Sequence, residues 1–157
     1  MDWLLALENS PLGELMRSSA QLYAAAQIAH LLAMAALVGT GLVLDVRLLG
    51  LTRMRLADLL RLTDPLLGVA AVVALVSGLL MFTGEATTMA ANPAFKVKVV
   101  LIGMLIGNAL GFQFGARRSL PRWADAAPPP IGARVAGAIA IVGWIGTVIA
   151  ARLIAFT

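Results

Sequence analysis

Four long apolar segments, separated by short polar stretches, dominate the pattern of this chain. Each segment is close to the roughly 20 residues that a helix needs to cross the hydrocarbon core of a bilayer. We therefore predict an all-α, polytopic membrane protein, a four-transmembrane-helix bundle preceded by a short N-terminal interfacial helix. The apolar segments are Leu22–Leu44, Leu66–Phe82, Val97–Phe114 and Val135–Phe156.

The composition supports the same class. Of the 157 residues, 61% are hydrophobic and 13% are charged, and the mean hydropathy is +0.92. A soluble domain carries about 25% charged residues, so this chain has too little polar surface to face water on all sides. Because the chain has no cysteine, disulfides and thiolate metal sites are excluded.

Helix-start signals divide the chain further. The Asn-Ser-Pro sequence at 9–11 is expected to break the N-terminal helix. Asp64-Pro65 and Asn92-Pro93 each join an N-cap side chain to a proline at the first helical position, so we expect them to begin the second and third spans. We predict an interfacial segment at 1–19 and a transmembrane domain at 20–157. A stiff proline connector at 126–130 precedes the fourth span. The predicted spans are at about 21–46, 65–83, 94–116 and 133–155.

Basic side chains predict the topology. Eight lie between the first and second or between the third and fourth segments, and four lie on the opposite side. Short cytoplasmic loops carry the excess of Lys and Arg, so we expect these two loops in the cytoplasm of a bacterial inner membrane and both termini in the periplasm. The net charge of +4 then reflects topology and lipid contact, not nucleic-acid binding. The eight are Arg47, Arg53, Arg55, Arg61, Arg117, Arg118, Arg122 and Arg134.

Small residues recur at every fourth position in three segments. Such stripes let membrane helices approach each other closely. We expect the glycine stripe of the third segment to pack inside the bundle, with a homo-oligomer contact as the alternative. The stripes are Gly103, Gly107, Gly111 and Gly115 on the third segment, Ala25, Ala29 and Ala33 on the first, and Gly143, Thr147 and Ala151 on the fourth.

His30, the only histidine, lies within the first apolar segment. An ionisable side chain at membrane depth is costly, so it indicates a functional site. At about 100° per residue, Tyr23, Gln27, Met34 and Asp45 share one helical face with His30. This polar face is expected to turn toward protein or a water-filled cavity and not toward lipid.

Helical rise relates this face to the third segment, at about 1.5 Å per residue. Asn108 is expected near the depth of Met34. Near the cytoplasmic end, Asp45 is expected to approach Arg47, Gln113 and Arg117.

Three functional interpretations of His30 stay open beside a structural one. A neutral imidazole nitrogen can be an axial ligand of haem b, a cofactor that helix bundles house. Together with Met34, and with Met81 or Met104, it could bind copper as Cu(I), which favours thioether and imidazole. It could relay protons through the other polar residues of its face. In the structural interpretation it only joins helices by a hydrogen bond, and the protein is a non-catalytic scaffold subunit.

Parts of the chain resemble a bacterial four-helix membrane family of unknown function. The runs that carry the resemblance are His30–Gly50, Ser77–Phe82, Asn92–Lys98 and Asn108–Leu110. The likeness covers about residues 20–120. It implies the same four-helix fold and gives no reaction.

More distantly, the layout is similar to CopD-type copper-resistance proteins and to HemJ-type protoporphyrinogen oxidases. The HemJ type is associated with haem and pairs a histidine of the first helix with a lysine that begins the third. By spacing, this resemblance implies His30 and Lys98, although Lys96 is the lysine that shares the face of the glycine stripe. The third helix of the HemJ type carries a further histidine, where this chain has Asn108 and Gln113.

We therefore expect a haem- or porphyrin-associated redox module, with a copper-handling or purely structural membrane protein as the alternatives. No catalytic residue is assigned. The predicted cofactor site consists of His30 as metal ligand with Tyr23, Gln27, Met34, Lys98 and Asn108.

Overall fold

Seven helices account for most of the chain in the computed structural model, which describes residues 2–119, 123 and 129–156. Single 3-10 turns follow the last two long helices, at Ala116–Ser119 and Ile154–Phe156. Arg122 and residues 126–128 of the expected proline connector lie outside the described residues. The helices are α1 (Asp2–Glu8), α2 (Pro11–Ser18), α3 (Ala20–Leu48), α4 (Leu56–Gly84), α5 (Ala86–Ala91), α6 (Pro93–Phe114) and α7 (Ile131–Leu153).

Helices α3, α4, α6 and α7 are long and apolar enough to cross a membrane. The protein is thus an integral, multi-pass membrane protein, and the predicted all-α fold is confirmed. The four helices alternate in direction. Both chain ends therefore lie at one end of the bundle, which we call the terminal end, and the α3–α4 and α6–α7 connections lie at the other, the loop end.

The start of α6 follows its predicted capping signal. Asn92 Oδ1 accepts hydrogen bonds from the backbone N–H groups of Ala94 at 2.9 Å and Phe95 at 3.1 Å. Pro93 is the first helical residue, where its missing N–H removes no helical bond.

The predicted helix start at Asp64-Pro65 is wrong, because Pro65 lies inside a helix. Helix α4 begins at Leu56 and continues through Pro65. The additional turns are held by packing, because Leu56, at 0% exposure, and Leu60 are buried in a cluster with Leu48 of α3 and with Trp123. Burial of this apolar face outweighs the missing backbone donor of the proline.

The N-terminal helices pack on the terminal end of the bundle. The chain breaks at Asn9-Ser10 as expected, and the Ser10 hydroxyl caps α2 by accepting from Gly13 N at 3.2 Å. A Cβ at Gly13 would lie 2.7 Å from the carbonyl oxygen of Thr83, so the two backbones are in close contact there. Met16 is buried to 1% exposure.

The spanning helices pack in the order α4, α3, α7, α6. Helix α3 packs against both α4 and α7, and α7 packs against α6. Glycines allow the contacts of α7: a Cβ at Gly137 would lie 2.9 Å from the carbonyl oxygen of Asp45, and one at Gly143 would lie 2.7 Å from Leu105 Cδ2. Helices α4 and α6, both described throughout, lack comparable backbone packing.

The glycine stripe of α6 does not pack inside the bundle, so that expectation is wrong. A Cβ at Gly103, Gly107 or Gly111 would meet nothing within 4 Å. Helix α6 instead contacts α7 through side chains on another of its faces, including Leu101 and Leu105. A stripe of small residues does not show by itself whether it packs inside the bundle or against a second copy of the chain. A homo-oligomer contact through the stripe stays a prediction.

Candidate functional site

The imidazole of His30 lies against α4. Its Nδ1 is 2.9 Å from the carbonyl oxygen of Ala74 and 3.1 Å from Ser77 Oγ. The ring fits there because position 78 is a glycine: a Cβ at Gly78 would be 3.1 Å from His30 Cε1. The α3–α4 contact thus sets both the position and the orientation of the ring.

These contacts also select the tautomer of His30. A carbonyl oxygen only accepts hydrogen bonds, so Nδ1 must carry the proton that it shares with Ala74. The Ser77 hydroxyl donates to the carbonyl oxygen of Val73 at 2.6 Å, which leaves its oxygen as a second acceptor for the same proton. Nε2 then keeps its lone pair, and within the described residues no hydrogen bond reaches it. This is the form in which imidazole binds a metal or accepts a proton.

Lys98 is the lysine that turns toward this site. Its side chain is half-buried, and its charge lies close enough to act on His30. Lys96 is exposed. The choice of Lys98 over Lys96 as a site residue stays a prediction.

Two bridges join α4 to α6, one at each end of the bundle. At the terminal end the rings of Phe82 and Phe95 stack with centroids 5.5 Å apart and planes 7° apart. At the loop end the Arg117 guanidinium forms an ion pair with Asp64 and donates to Gln113 Oε1 at 2.8 Å. The aromatic bridge lies about one turn from Gly78 and Lys98, on the side of the terminal end.

The structure disperses other members of the predicted site. Tyr23 and Gln27 line a surface groove of about 480 Å³ at the terminal end, together with Arg17 and Glu85. The amide of Asn108 donates to the carbonyl oxygen of Ala136 on α7 at 2.9 Å and so joins two helices. Met34 is half-buried one turn beyond His30 on α3.

The expected approach of Asp45 to Gln113 and Arg117 is wrong. Asp45 is 6% exposed, and its Oδ2 accepts from the indole Nε1 of Trp144 at 3.2 Å. Helix α3 packs against α7, which separates Asp45 from α6.

Sequence reasoning missed three contributors to the site. Ser77 and Gly78 stood inside a run that was noted only for its resemblance, and Phe82 stood at its end. A Ser-Gly pair within an apolar helix is a weak signal for a close side-chain contact from another helix. The sequence does not show that Ser77 and Gly78 contact His30, because that contact depends on which helices are neighbours.

A bare ion and a porphyrin place different demands on the protein ligands of the site. Among the described residues, no group of three or more His, Cys, Asp or Glu side chains could hold a metal ion. A porphyrin supplies four nitrogen ligands of its own and needs only an axial ligand from protein. His30 can be that ligand.

Comparison with known proteins gives a family and no activity. A model described as a family of unknown function (DUF6644) matches residues 2–157. The chain belongs to this family. No curated protein and no solved structure matches it. The similarity to the CopD and HemJ types therefore has no support from a named relative.

Proposed function

We propose that this DUF6644 protein holds a haem or porphyrin within the membrane through His30 and serves as a redox module. The observation that carries the proposal is the geometry of the imidazole. Its Nδ1–H donates to the Ala74 carbonyl, and its Nε2 has no partner within the described residues. Histidines that ligate metals commonly have this second contact, which fixes the ring and raises the basicity of the ligating nitrogen.

The residues around His30 would each contribute to holding the cofactor. Nε2 of His30 would ligate the iron of a bound haem, while Ala74 and Ser77 hold the ring in place. Lys98, half-buried near His30, supplies a cation for a propionate group. The iron of a bound haem supplies one-electron transfer.

The proposal extends to haem or porphyrin association and not to the oxidase reaction of the HemJ type. That type carries a histidine on its third helix, and Asn108 of this chain is already bonded to the Ala136 carbonyl. Copper remains an outcome of the test below.

The proposal also includes the membrane and the orientation of the protein in it. Exposed arginines lie at the loop end, which favours a position of that end on the cytoplasmic side of a bacterial inner membrane. They include Arg53, Arg55 and Arg61.

Absorption spectra of the detergent-purified protein, oxidised and reduced, test the proposal. We expect a Soret band near about 400–430 nm, as iron–imidazole ligation gives, either as purified or after addition of haemin. His30→Ala should abolish it. A wild-type protein that stays colourless after haemin addition would contradict the proposal. Stoichiometric copper without a Soret band would favour the copper alternative.

A glycine pair on α4 provides a matched control. Gly78→Ala adds a methyl group 3.1 Å from His30 Cε1, whereas Gly68→Ala adds one that meets nothing within 4 Å. Both changes keep the imidazole and alter the same helix by one carbon. We expect Gly78→Ala to shift the Soret band or weaken haem binding several-fold, with Gly68→Ala unchanged. Equal effects of the two substitutions on haem binding would show that the cofactor site does not depend on the contact between His30 and α4.

A further inference from the structure

The boundary between α4 and α6 is closed at its two ends and not between them. Asp64 and Phe82, which form the two bridges from α4, are five helical turns apart and therefore lie on one face of that helix. Phe95 and Gln113 lie on one face of α6 for the same reason. The bridges are thus about 27 Å apart along the helices, close to the thickness of the hydrocarbon core.

Small and exposed residues line these two faces between the bridges. Ala71 on α4 and Ala109 on α6 are exposed although both lie on the sides that face the other helix. Leu75, at 62% exposure, and Ile106, at 56%, flank them. We call the space between α4 and α6 from the Phe82–Phe95 bridge to the Asp64–Arg117 bridge the lateral slot.

Between its two bridges, the lateral slot has polar groups at the level of Gly78 and Lys98. Gly78, against which the His30 ring packs, is one turn inward from the aromatic bridge on α4, and Lys98 is about one turn inward from it on α6. The rest of the lining named above is apolar. An amphiphile with one charged region and a large apolar surface matches this distribution.

We propose that the lateral slot is the opening through which a lipid-soluble, anionic ligand reaches His30 from the bilayer. The identity of the ligand, a porphyrin whose carboxylate pairs with Lys98, rests on the proposed function. The route through the lateral slot does not depend on the proposed function. The stacked rings of Phe82 and Phe95 close the terminal end, and the exposed apolar lining faces the hydrocarbon core, where water is scarce.

Site-directed spin labelling tests the route without any cofactor, and the absence of native cysteine makes it direct. Ala71→Cys and Ala109→Cys would carry a nitroxide in proteoliposomes, where oxygen reports contact with lipid and a water-soluble nickel chelate reports contact with water. Val72→Cys, on the outward side of α4 at 62% exposure, is the lipid-facing control. Ala140→Cys, at 7% exposure on α7, is the enclosed control.

We expect the labels at positions 71 and 109 to collide with oxygen as often as the label at 72, within about twofold, and to be protected from the chelate. High chelate access would show a water-filled cavity and overturn the lateral route. Low access to both reagents, as at position 140, would show a closed boundary and overturn it as well.

A cross-link separates this inference from the proposed function. Leu75→Cys with Ile106→Cys, joined by a bismaleimide before haemin addition, should slow the appearance of the Soret band at least tenfold relative to either single variant. The same cross-link made after loading should slow haem loss. Unchanged uptake would overturn the route. If the protein without the cross-link fails to bind haemin, the proposed function and the porphyrin as ligand are overturned. The spin-label result would still decide the route.

Discussion

The α3–α7 and α4–α6 boundaries are built differently, although each joins two membrane-spanning helices. The first is closed by glycine: Gly137 brings α7 against the backbone of Asp45, and Gly41 accommodates the Trp144 indole. The second is joined by an aromatic pair and an ion pair far apart. Small residues close a boundary only when they face a neighbouring helix. A Cβ at Gly103, Gly107 or Gly111 of α6 would meet nothing within 4 Å, so these glycines close no boundary between helices of the bundle.

The largest expected effect concerns which glycines support packing. Gly137→Ala places a methyl group 2.9 Å from the carbonyl oxygen of Asp45, and a backbone atom cannot move aside easily. We expect a loss of about 1–3 kcal/mol in unfolding free energy, as for other overpacked sites. Thermal unfolding in detergent measures it.

The matched control for this change is Gly107→Ala, which meets nothing within 4 Å. Its stability should be unchanged or higher, because alanine favours helix by up to about 1 kcal/mol over glycine. Destabilisation equal to that of Gly137→Ala would contradict the outward orientation of the stripe. A change in oligomer size by light scattering, without a change in monomer stability, would support the homo-oligomer prediction.

The aromatic bridge should contribute less. Phe82→Ala removes the stacking with Phe95, worth about 1 kcal/mol beyond buried area. We also expect it to admit water, so that the spin label at Ala71→Cys gains access to the nickel chelate. Phe114→Ala, which removes a 61% exposed ring from the same helix as Phe95, is the control. An unchanged chelate signal would show that the terminal end is covered by something other than this pair.

The ion pair at the loop end should contribute less again. Asp64 and Arg117 are both about one-third exposed, so solvent screens their attraction. A double-mutant cycle of Asp64→Asn and Arg117→Gln should give a coupling of at most about 1 kcal/mol. A coupling of several kcal/mol would mean that the loop end is drier and more tightly closed than the geometry indicates.

The smallest effect is local and depends on pH. Thr87 donates to the Glu8 carboxylate from its hydroxyl at 2.6 Å and from its backbone N–H at 2.9 Å. These hydrogen bonds lower the pKa of Glu8 below its ordinary value of 4.5. The contact should be complete above that pH and be lost as pH falls through the lowered pKa.

Mobility of a nitroxide at Leu5→Cys between pH 7 and pH 3 measures this contact. The label should become more mobile at the acidic end of the range. In Glu8→Gln the dependence on pH should disappear. Persistence of the dependence in that variant would assign it to another group.

Local signals predicted the elements well and their neighbours poorly. Segment length and hydropathy predicted the four spanning helices, and the capping pattern at Asn92-Pro93 predicted the start of α6. The same kind of pattern at Asp64-Pro65 was wrong, since burial of Leu56 and Leu60 extends α4 across the proline. The orientation of a stripe and the partner of Asp45 depend on which helices adjoin, and periodicity within one helix does not contain that information.

The candidate site shows the same division. Burial cost singled out His30 as a candidate, and the HemJ resemblance implied Lys98; both stay predictions. Ser77 and Gly78 act only through contact with His30, and nothing in their own segment indicates that contact. Tyr23 and Gln27 share a helical face with His30, yet they line a groove at the terminal end.

The state of the single histidine tests the central claim most directly. With histidine labelled by ¹⁵N, the spectrum contains one pair of ring nitrogens, because the chain has one histidine. We predict a neutral ring at pH 7 with the proton on Nδ1 and an Nε2 that carries none, and the Nε2 signal should be the one altered by haemin. A proton on Nε2, with Nδ1 free, would contradict the contact with Ala74 and remove the basis for ligation by His30.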